Sequence, residues 1–319
     1  MADPTNTAYE PYYVPDKSKL AVFTSAGLFL SIYGAASMLN ASHPTLNAGQ
    51  EAGSGSTTFM LGMAIFLITL FIWFRTTVAE NRRGMNSAQL KHSYVIGMQW
   101  FIFSEVMFFF AFFGTLFYVR NLAGPWLAGD GEGGRMNGLI WPGFDYSWPM
   151  AATPQEAVGG VANQPVANNG LFTSPTGTVH WNHIPLINTI LLVTSSVTLH
   201  FAHHALKADN RKKLNQWLAI TLILGFVFVG FQALEYYEAY NDLGLTLGAG
   251  IYGSTFFMLT GFHGFHVCMG AVMLTVQWLR SVKGKHFSPS DHFGFEASAW
   301  YWHFVDVVWI ALFLFVYIL

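Results

Sequence analysis

Long, uninterrupted apolar runs dominate the pattern along this chain and predict helices that cross a membrane. A bilayer core of about 30 Å needs about 20 apolar residues in a helix. Backbone groups in lipid must be hydrogen-bonded within the segment, which favours helices over strands. The qualifying runs are Leu20–Leu39, Thr58–Ala79, Ser93–Val119, Leu186–Leu206, Leu214–Tyr236, Tyr252–Leu279 and Gly294–Leu319. The pattern therefore predicts an all-α integral membrane protein with seven transmembrane helices.

The composition agrees with a membrane protein and excludes several other classes. Hydrophobic residues make up 53% of the chain and charged residues 10%, whereas a soluble domain carries about 25% charged residues. The net charge is −2 without a long block of like charge, so no nucleic-acid partner is expected. Cys268 is the only cysteine, which excludes an intrachain disulfide and a site built from several thiolates.

The distribution of basic residues predicts the orientation. With the N-terminus in the cytoplasm, 13 Lys and Arg residues fall on the inner side and two, Arg120 and Arg135, on the outer side. The positive-inside rule then places the C-terminus in the periplasm. We expect residues 1–19 to form a cytoplasmic tail and the first run to be a retained helix, because it lacks an obvious signal-peptide cleavage site.

The connection Arg120–His183 is long. Three predicted helices precede it, in 20–119, and four follow it, in 184–319, and we interpret the two groups as one domain. The connection contains 11 Gly and 6 Pro, which predicts an external, periplasmic loop with little regular structure. Loops of this length are often functional. A tolerated insertion that covers a partner is the equal alternative.

Glu105 is the clearest ionisable residue inside a predicted span. Insertion of an acidic residue at a helix centre costs about 2.5–3.5 kcal/mol of free energy on insertion scales, so its presence indicates a structural or functional role. One interpretation is a proton-linked or lipid-linked site, and the other is a protonated acid hydrogen-bonded to another helix. We hypothesise that Glu105 pairs with His263 or His266, which share one face of the sixth helix.

Three further groups of polar residues lie in or near the predicted spans. His303 and Asp306 share a face of the last helix, where an interhelical hydrogen bond is the favoured interpretation. Glu235 and Glu238 lie at the outer end of the fifth helix, and read alone they indicate an aromatic and acidic helix end. Trp300–Trp302 are interpreted as interface or packing residues.

Histidine motifs raise the alternative of a membrane di-iron enzyme. The motifs are His200, His203 and His204, the pair His180 and His183, and the pair His263 and His266. The predicted topology separates these motifs, so a common metal site is not expected. A transporter is a second alternative, but we find no inverted repeat. The residues therefore predict no catalytic group and no metal ligand in this chain.

Several motifs read together resemble subunit III of the haem-copper cytochrome c oxidases. They are S-E-V-M-F-F at Ser104–Phe109, F-A-H-H-A-L at Phe201–Leu206, Q-A-L-E-Y-Y-E-A at Gln232–Ala239, Y-G-S-T-F-F at Tyr252–Phe257, G-F-H-G-F-H-V at Gly261–Val267 and the long run His292–Trp309. The resemblance covers about 58–119 and 186–319. It rests on the order and spacing of the motifs as well as on their residues.

The resemblance implies a subunit without redox centres. Such a subunit binds structural phospholipids but no haem or copper; it packs on subunit I in a complex that also contains subunit II. The haem and copper of those partners pass electrons from cytochrome c to oxygen while protons are pumped. Subunit III would keep proton uptake fast, and its first two helices would be separated from the other five by a V-shaped cleft that holds phospholipids.

The resemblance also assigns residues. Glu105 matches the family's intramembrane glutamate, with His263 and His266 close to it. Glu235, Glu238 and Glu296 fall within the signature motifs. Four positions match residues near bound lipid, the basic pair for phosphates and the aromatic pair for acyl chains: Arg75, Arg280, Trp73 and Phe101.

Two departures from the compact form of the family leave partners open. The loop Arg120–His183 is longer, with subunit II, an additional subunit or cytochrome c as its candidate partners. The region Glu80–His92 also differs. The alternative of a quinol oxidase subunit III is less favoured, because that relative typically lacks the first two helices. Without a transit-like leader, we expect a bacterial inner membrane.

Overall fold

The structure, a computed structural model, describes residues 18–41, 54–159, 166–167, 170–171, 174–284 and 286–319. Within this part of the chain, seven helices are long and apolar enough to cross a membrane, which confirms the predicted all-α class and the helix count. Two strands of two residues each, Val166–Ala167 (β1) and Gly170–Leu171 (β2), pair antiparallel. Most of the predicted cytoplasmic tail lies outside the described residues.

The helix bounds follow the predicted runs closely. In chain order the helices are α1 Leu20–Ala41, α2 Gly55–Arg82, α3 Ala88–Tyr118, α4 Gly124–Leu127, α5 Asn137–Ile140, α6 Pro154–Gly159, α7 Ile184–Lys207, α8 Arg211–Asn241, α9 Gly250–Gly284 and α10 Phe293–Leu312. A π-helical segment, Phe313–Ile318, continues α10. The spanning helices are α1, α2, α3, α7, α8, α9 and α10.

The helical path of α3 continues further than predicted. A π-helical turn, Val119–Ala123, joins α3 to α4, so the path runs to Leu127. Tyr146 stabilises this junction, because its hydroxyl donates to the Arg120 carbonyl at 2.8 Å and its ring fills the space that a Cβ at Gly124 would occupy. Burial raises the pKa of Tyr146, so this hydroxyl stays a donor. The prediction of little regular structure from residue 120 onward was wrong at this end of the loop.

The chain forms two compact units, one ending at Ile96 and the other beginning at Gly97. In the first unit, α1 and α2 approach closely at glycines. A Cβ at Gly27 would lie 2.7 Å from the backbone nitrogen of Phe66, and a Cβ at Gly62 would overlap the backbone nitrogen of Ser31. Small residues let helix backbones approach in membranes, where van der Waals packing drives association.

Gly62→Ala is therefore expected to destabilise the α1–α2 pair by roughly 1–2 kcal/mol, because overpacking forces the backbones apart. Thermal unfolding followed by circular dichroism measures the loss. Gly114→Ala in α3 is the matched control, since a Cβ there meets no atom within 4 Å. Equal stability of the two variants would contradict close backbone packing of α1 on α2.

The second unit has its core around α9 and α10, where half or more of the residues in the most apolar stretch are buried. Trp302 and Trp309 of α10 are fully buried. The Trp302 indole donates to Ser195 Oγ of α7 at 2.9 Å, and Gly225 of α8 and Gly270 of α9 leave room for its ring. Of the two interpretations of Trp302, the structure therefore supports packing.

Local signals set several of the helix ends. Pro185 lies in the first turn of α7, where a missing backbone N–H carries no cost. Asn210 caps α8, with its Oδ1 accepting from the Lys213 backbone N–H at 3.1 Å. A tight turn before α10 exchanges two backbone hydrogen bonds between Ser288 and Asp291, which fixes how the chain enters α10.

Candidate functional site

Glu105 of α3 and His266 of α9 form a buried polar pair within the second unit. Glu105 Oε2 lies 2.9 Å from His266 Nε2, and the two side chains are 22% and 7% exposed. Of the two pairings hypothesised for Glu105, the structure contains the one with His266. The pair joins two helices that are far apart in the sequence.

The hydrogen bonds of His266 define how many protons the pair holds. His266 Nδ1 lies 2.6 Å from the Phe262 carbonyl oxygen, which can only accept, so Nδ1 carries a proton. A bond of 2.9 Å between Nε2 and Oε2 needs one more proton, held by either the imidazole or the carboxyl. The arrangement therefore shares one proton across an interhelical contact, as a neutral pair or an ion pair.

Aromatic rings surround this pair and limit its contact with solvent. The ring centroid of His266 lies 5.1 Å from that of Phe109 and 6.3 Å from that of Tyr301. Phe101 stacks on Tyr301, with 6.0 Å between the ring centroids. In such surroundings an unpaired polar group is costly, so each member of the pair depends on the other.

His263 does not join this pair, although it is one turn from His266. Its Nε2 donates to the Val305 carbonyl of α10 at 3.2 Å, because a ring nitrogen facing a carbonyl must carry the proton. The side chain is fully buried and packs on Trp309 at 5.0 Å between ring centroids. His263 thus ties α9 to α10.

The predicted pair His303 and Asp306 forms a second interhelical polar contact. His303 Nδ1 lies 2.7 Å from Ser196 Oγ of α7 and 3.5 Å from Asp306 Oδ2. Asp306 is buried, whereas the His303 side chain is 42% exposed. An interhelical bond, the favoured interpretation, is therefore present between α7 and α10.

The signature glutamates differ in their surroundings. Glu235 is buried and accepts from the Tyr317 hydroxyl at 2.6 Å and from Gln232 Nε2 at 3.3 Å, so it belongs to the core and not to a helix end. α8 continues to Asn241, so Glu235 lies within the helix and not at its end. Glu238, one turn later, is exposed.

The predicted lipid contacts lie on accessible surfaces of their own units. Trp73 and Arg75 are exposed on α2. In the second unit, Phe101 is 47% exposed on α3. Arg280 of α9 is half-buried, with Nη1 donating to Gln277 Oε1 at 3.0 Å and its guanidinium over the Phe287 ring.

The histidine motifs are not brought together. Among the described residues, the one group of three or more potential metal ligands within reach of each other is His203, His292 and Glu296, to which the motifs contribute a single histidine. This geometry does not supply the ligands of a di-iron centre. Sequence reasoning missed the cluster. Its available signal was the i, i+4 spacing of His292 and Glu296 at the helix end that faces the end of α7.

Comparison with known proteins identifies the family. The model of the family "Cytochrome c oxidase subunit III" matches residues 10–127 and 160–319. The "Cytochrome c oxidase subunit 3" of Carassius auratus is 38% identical over 264 residues, which cover 82% of this chain and 84% of that protein. The protein of the same description from Prototheca wickerhamii is 36% identical over 310 residues, which cover 96% of this chain and 97% of that protein.

The match extends over both units and leaves out residues 1–9 and 128–159, of which the second segment falls within the long loop that follows α4. The relatives belong to an oxidoreductase complex of several subunits. The motifs quoted above, the seven spanning helices and the polar contacts between them lie within the matched segments. This chain belongs to the cytochrome c oxidase subunit III family.

Proposed function

We propose that this chain is a non-redox subunit that stabilises subunit I of a proton-pumping cytochrome c oxidase and supports its proton uptake. Subunits I and II would carry the haem and copper. The observation that carries the proposal is the Glu105–His266 pair, a single-proton contact in an aromatic surrounding. It joins two helices that are long and apolar enough to cross a membrane, and so would place a proton-holding group within the bilayer.

Phospholipid is the second proposed ligand. Arg75 and Arg280 offer guanidinium groups for phosphate, and the exposed rings of Trp73 and Phe101 offer apolar surface for acyl chains. The V-shaped lipid cleft stays a prediction. The inner-side position of the N-terminus and the bacterial inner membrane stay predictions.

Removing the chain from the purified complex tests the proposal. We expect the depleted complex to take up protons more slowly and to lose activity during sustained turnover, because subunit I then lacks its neighbour. Oxygen consumption with cytochrome c as donor measures both effects, and adding the chain back should restore them. A depleted complex with an unchanged rate and lifetime would contradict the proposal.

The electron donor separates this proposal from the quinol oxidase alternative. The presence of α1 and α2 and the description of the matched family favour cytochrome c. Reduction of the purified complex by cytochrome c, and not by a quinol, is the expected result.

A further inference from the structure

We propose that His203, His292 and Glu296 form a zinc site at one end of the second unit. The ligand atoms come from the last turns of α7, the residue before α10 and the first turn of α10. His203 Nε2, His292 Nε2 and a Glu296 carboxylate oxygen all lie within 4.8 Å of one another. The site is distinct from the Glu105–His266 pair and from the lipid positions.

The distances between ligand atoms fit tetrahedral zinc. Zn–N and Zn–O bonds of about 2.0–2.1 Å in a tetrahedron place neighbouring ligand atoms about 3.4 Å apart. His292 Nε2 lies 3.3 Å from Glu296 Oε1, and His203 Nε2 lies 3.6 Å from the same oxygen. Two edges of the tetrahedron are therefore close to this length, and the third, between the two imidazole nitrogens, is at most 4.8 Å.

Both imidazole nitrogens face this space without a hydrogen-bond partner. His203 Nε2 and His292 Nε2 are buried and unpaired in the described part of the chain. The other nitrogen of His292 lies 3.1 Å from the Ser288 carbonyl oxygen, so it carries a proton, and Nε2 is the nitrogen that a metal ion would bind. A histidine held in this way by a carbonyl is the usual arrangement around a metal ligand.

The surroundings hold these groups in place while leaving one side open. The tight turn between Ser288 and Asp291 precedes His292, and the ring of Phe295 packs on His203 at 5.6 Å. The Glu296 side chain is 31% exposed, which leaves room for water as the fourth ligand. Lys207, one turn beyond His203, is a nearby positive charge that lowers the affinity for a cation.

Zinc is the favoured ion because of the donor set. Two imidazoles and one carboxylate, with water in the fourth position, form a known ligand set of Zn²⁺, which has no redox chemistry. The ion would clamp α7 to the start of α10, and so join elements that are about 90 residues apart in the sequence. The sequence-based expectation of no metal ligand would then hold for redox metals alone.

The test uses the intact oxidase complex, stripped with EDTA, reloaded with Zn²⁺ and freed of unbound ion. We expect the wild-type complex to hold one more zinc per complex than Glu296→Gln or His292→Ala, as measured by elemental analysis against haem. Affinity should fall by at least the roughly 10–100-fold that loss of an outer partner costs. His292→Cys should keep the ion, because a thiolate also binds zinc.

His200→Ala is the matched control, since His200 is exposed one turn earlier on α7 and lies outside the cluster. It should retain the wild-type zinc content. Equal zinc content in the wild type and in Glu296→Gln, or equal loss in His200→Ala, would overturn the proposal.

Wild-type protein provides a second measurement that does not depend on any variant being assembled. X-ray absorption of the zinc-loaded complex should show nitrogen and oxygen at about 2.0–2.1 Å from zinc, with the scattering of two imidazole rings. A spectrum without imidazole scattering would contradict the site.

Discussion

Replacing Trp302 by alanine is expected to destabilise the protein by about 3–5 kcal/mol, the largest effect of any single substitution proposed for it. The side chain is fully buried, and its Nε1 donates to Ser195 Oγ at 2.9 Å. Truncation would leave a cavity bordered by Gly225 and Gly270, whose missing side chains cannot fill it. The Ser195 hydroxyl would also lose its partner in the core.

Thermal and denaturant-induced unfolding followed by far-ultraviolet circular dichroism measures this loss. Trp100→Ala is the control of equal size, because Trp100 is 67% exposed on α3 and its removal leaves no buried cavity. A Trp302 variant as stable as the Trp100 variant would show that α10 is not the centre of the packed core.

Substitutions at Glu105 are expected to separate hydrogen bonding from proton exchange. In Glu105→Gln, an amide N–H can donate to His266 Nε2 as a protonated carboxyl does, so stability should stay within about 0.5 kcal/mol of wild type. Glu105→Leu leaves the buried imidazole without its partner and should cost about 2–3 kcal/mol. Unfolding of the two variants measures the difference.

The rate of oxygen consumption of the stable Glu105→Gln complex then distinguishes the two interpretations of the glutamate. A reduced rate would assign Glu105 to proton transfer, because an amide, unlike a carboxyl, cannot release and rebind a proton near neutral pH. An unchanged rate would assign it to interhelical bonding. Similar stability of Glu105→Leu and wild type would contradict the dependence of His266 on Glu105.

The spanning helices could be predicted from the sequence because the conditions that lipid imposes apply to each segment by itself. Each run had to satisfy its own backbone and present apolar side chains, and the observed bounds follow the runs. The end of α3 could not be predicted in this way. The continuation to Leu127 is stabilised by Tyr146, which lies 26 residues after the carbonyl to which its hydroxyl donates. A local sequence pattern cannot predict a contact over that distance.

The sequence predicted which polar residues lie within the membrane spans, but not which residues they contact. Glu105 had two candidate histidines on one helix face, and the choice of His266 follows from how α3 packs on α9. Glu235 was interpreted as part of a helix end because its partner, Tyr317, lies 82 residues later. The cluster of His203, His292 and Glu296 likewise depends on α7 meeting α10, a tertiary contact that spacing alone cannot supply.

The central claim is that electrons travel through other polypeptides while this chain supplies helices, hydrogen bonds and lipid contacts. The most direct test separates the chain from its purified complex in detergent and measures iron and copper in each fraction. The account predicts that both metals and all haem absorbance stay with the partner subunits. Iron or copper that migrates with the chain at a one-to-one ratio would contradict it.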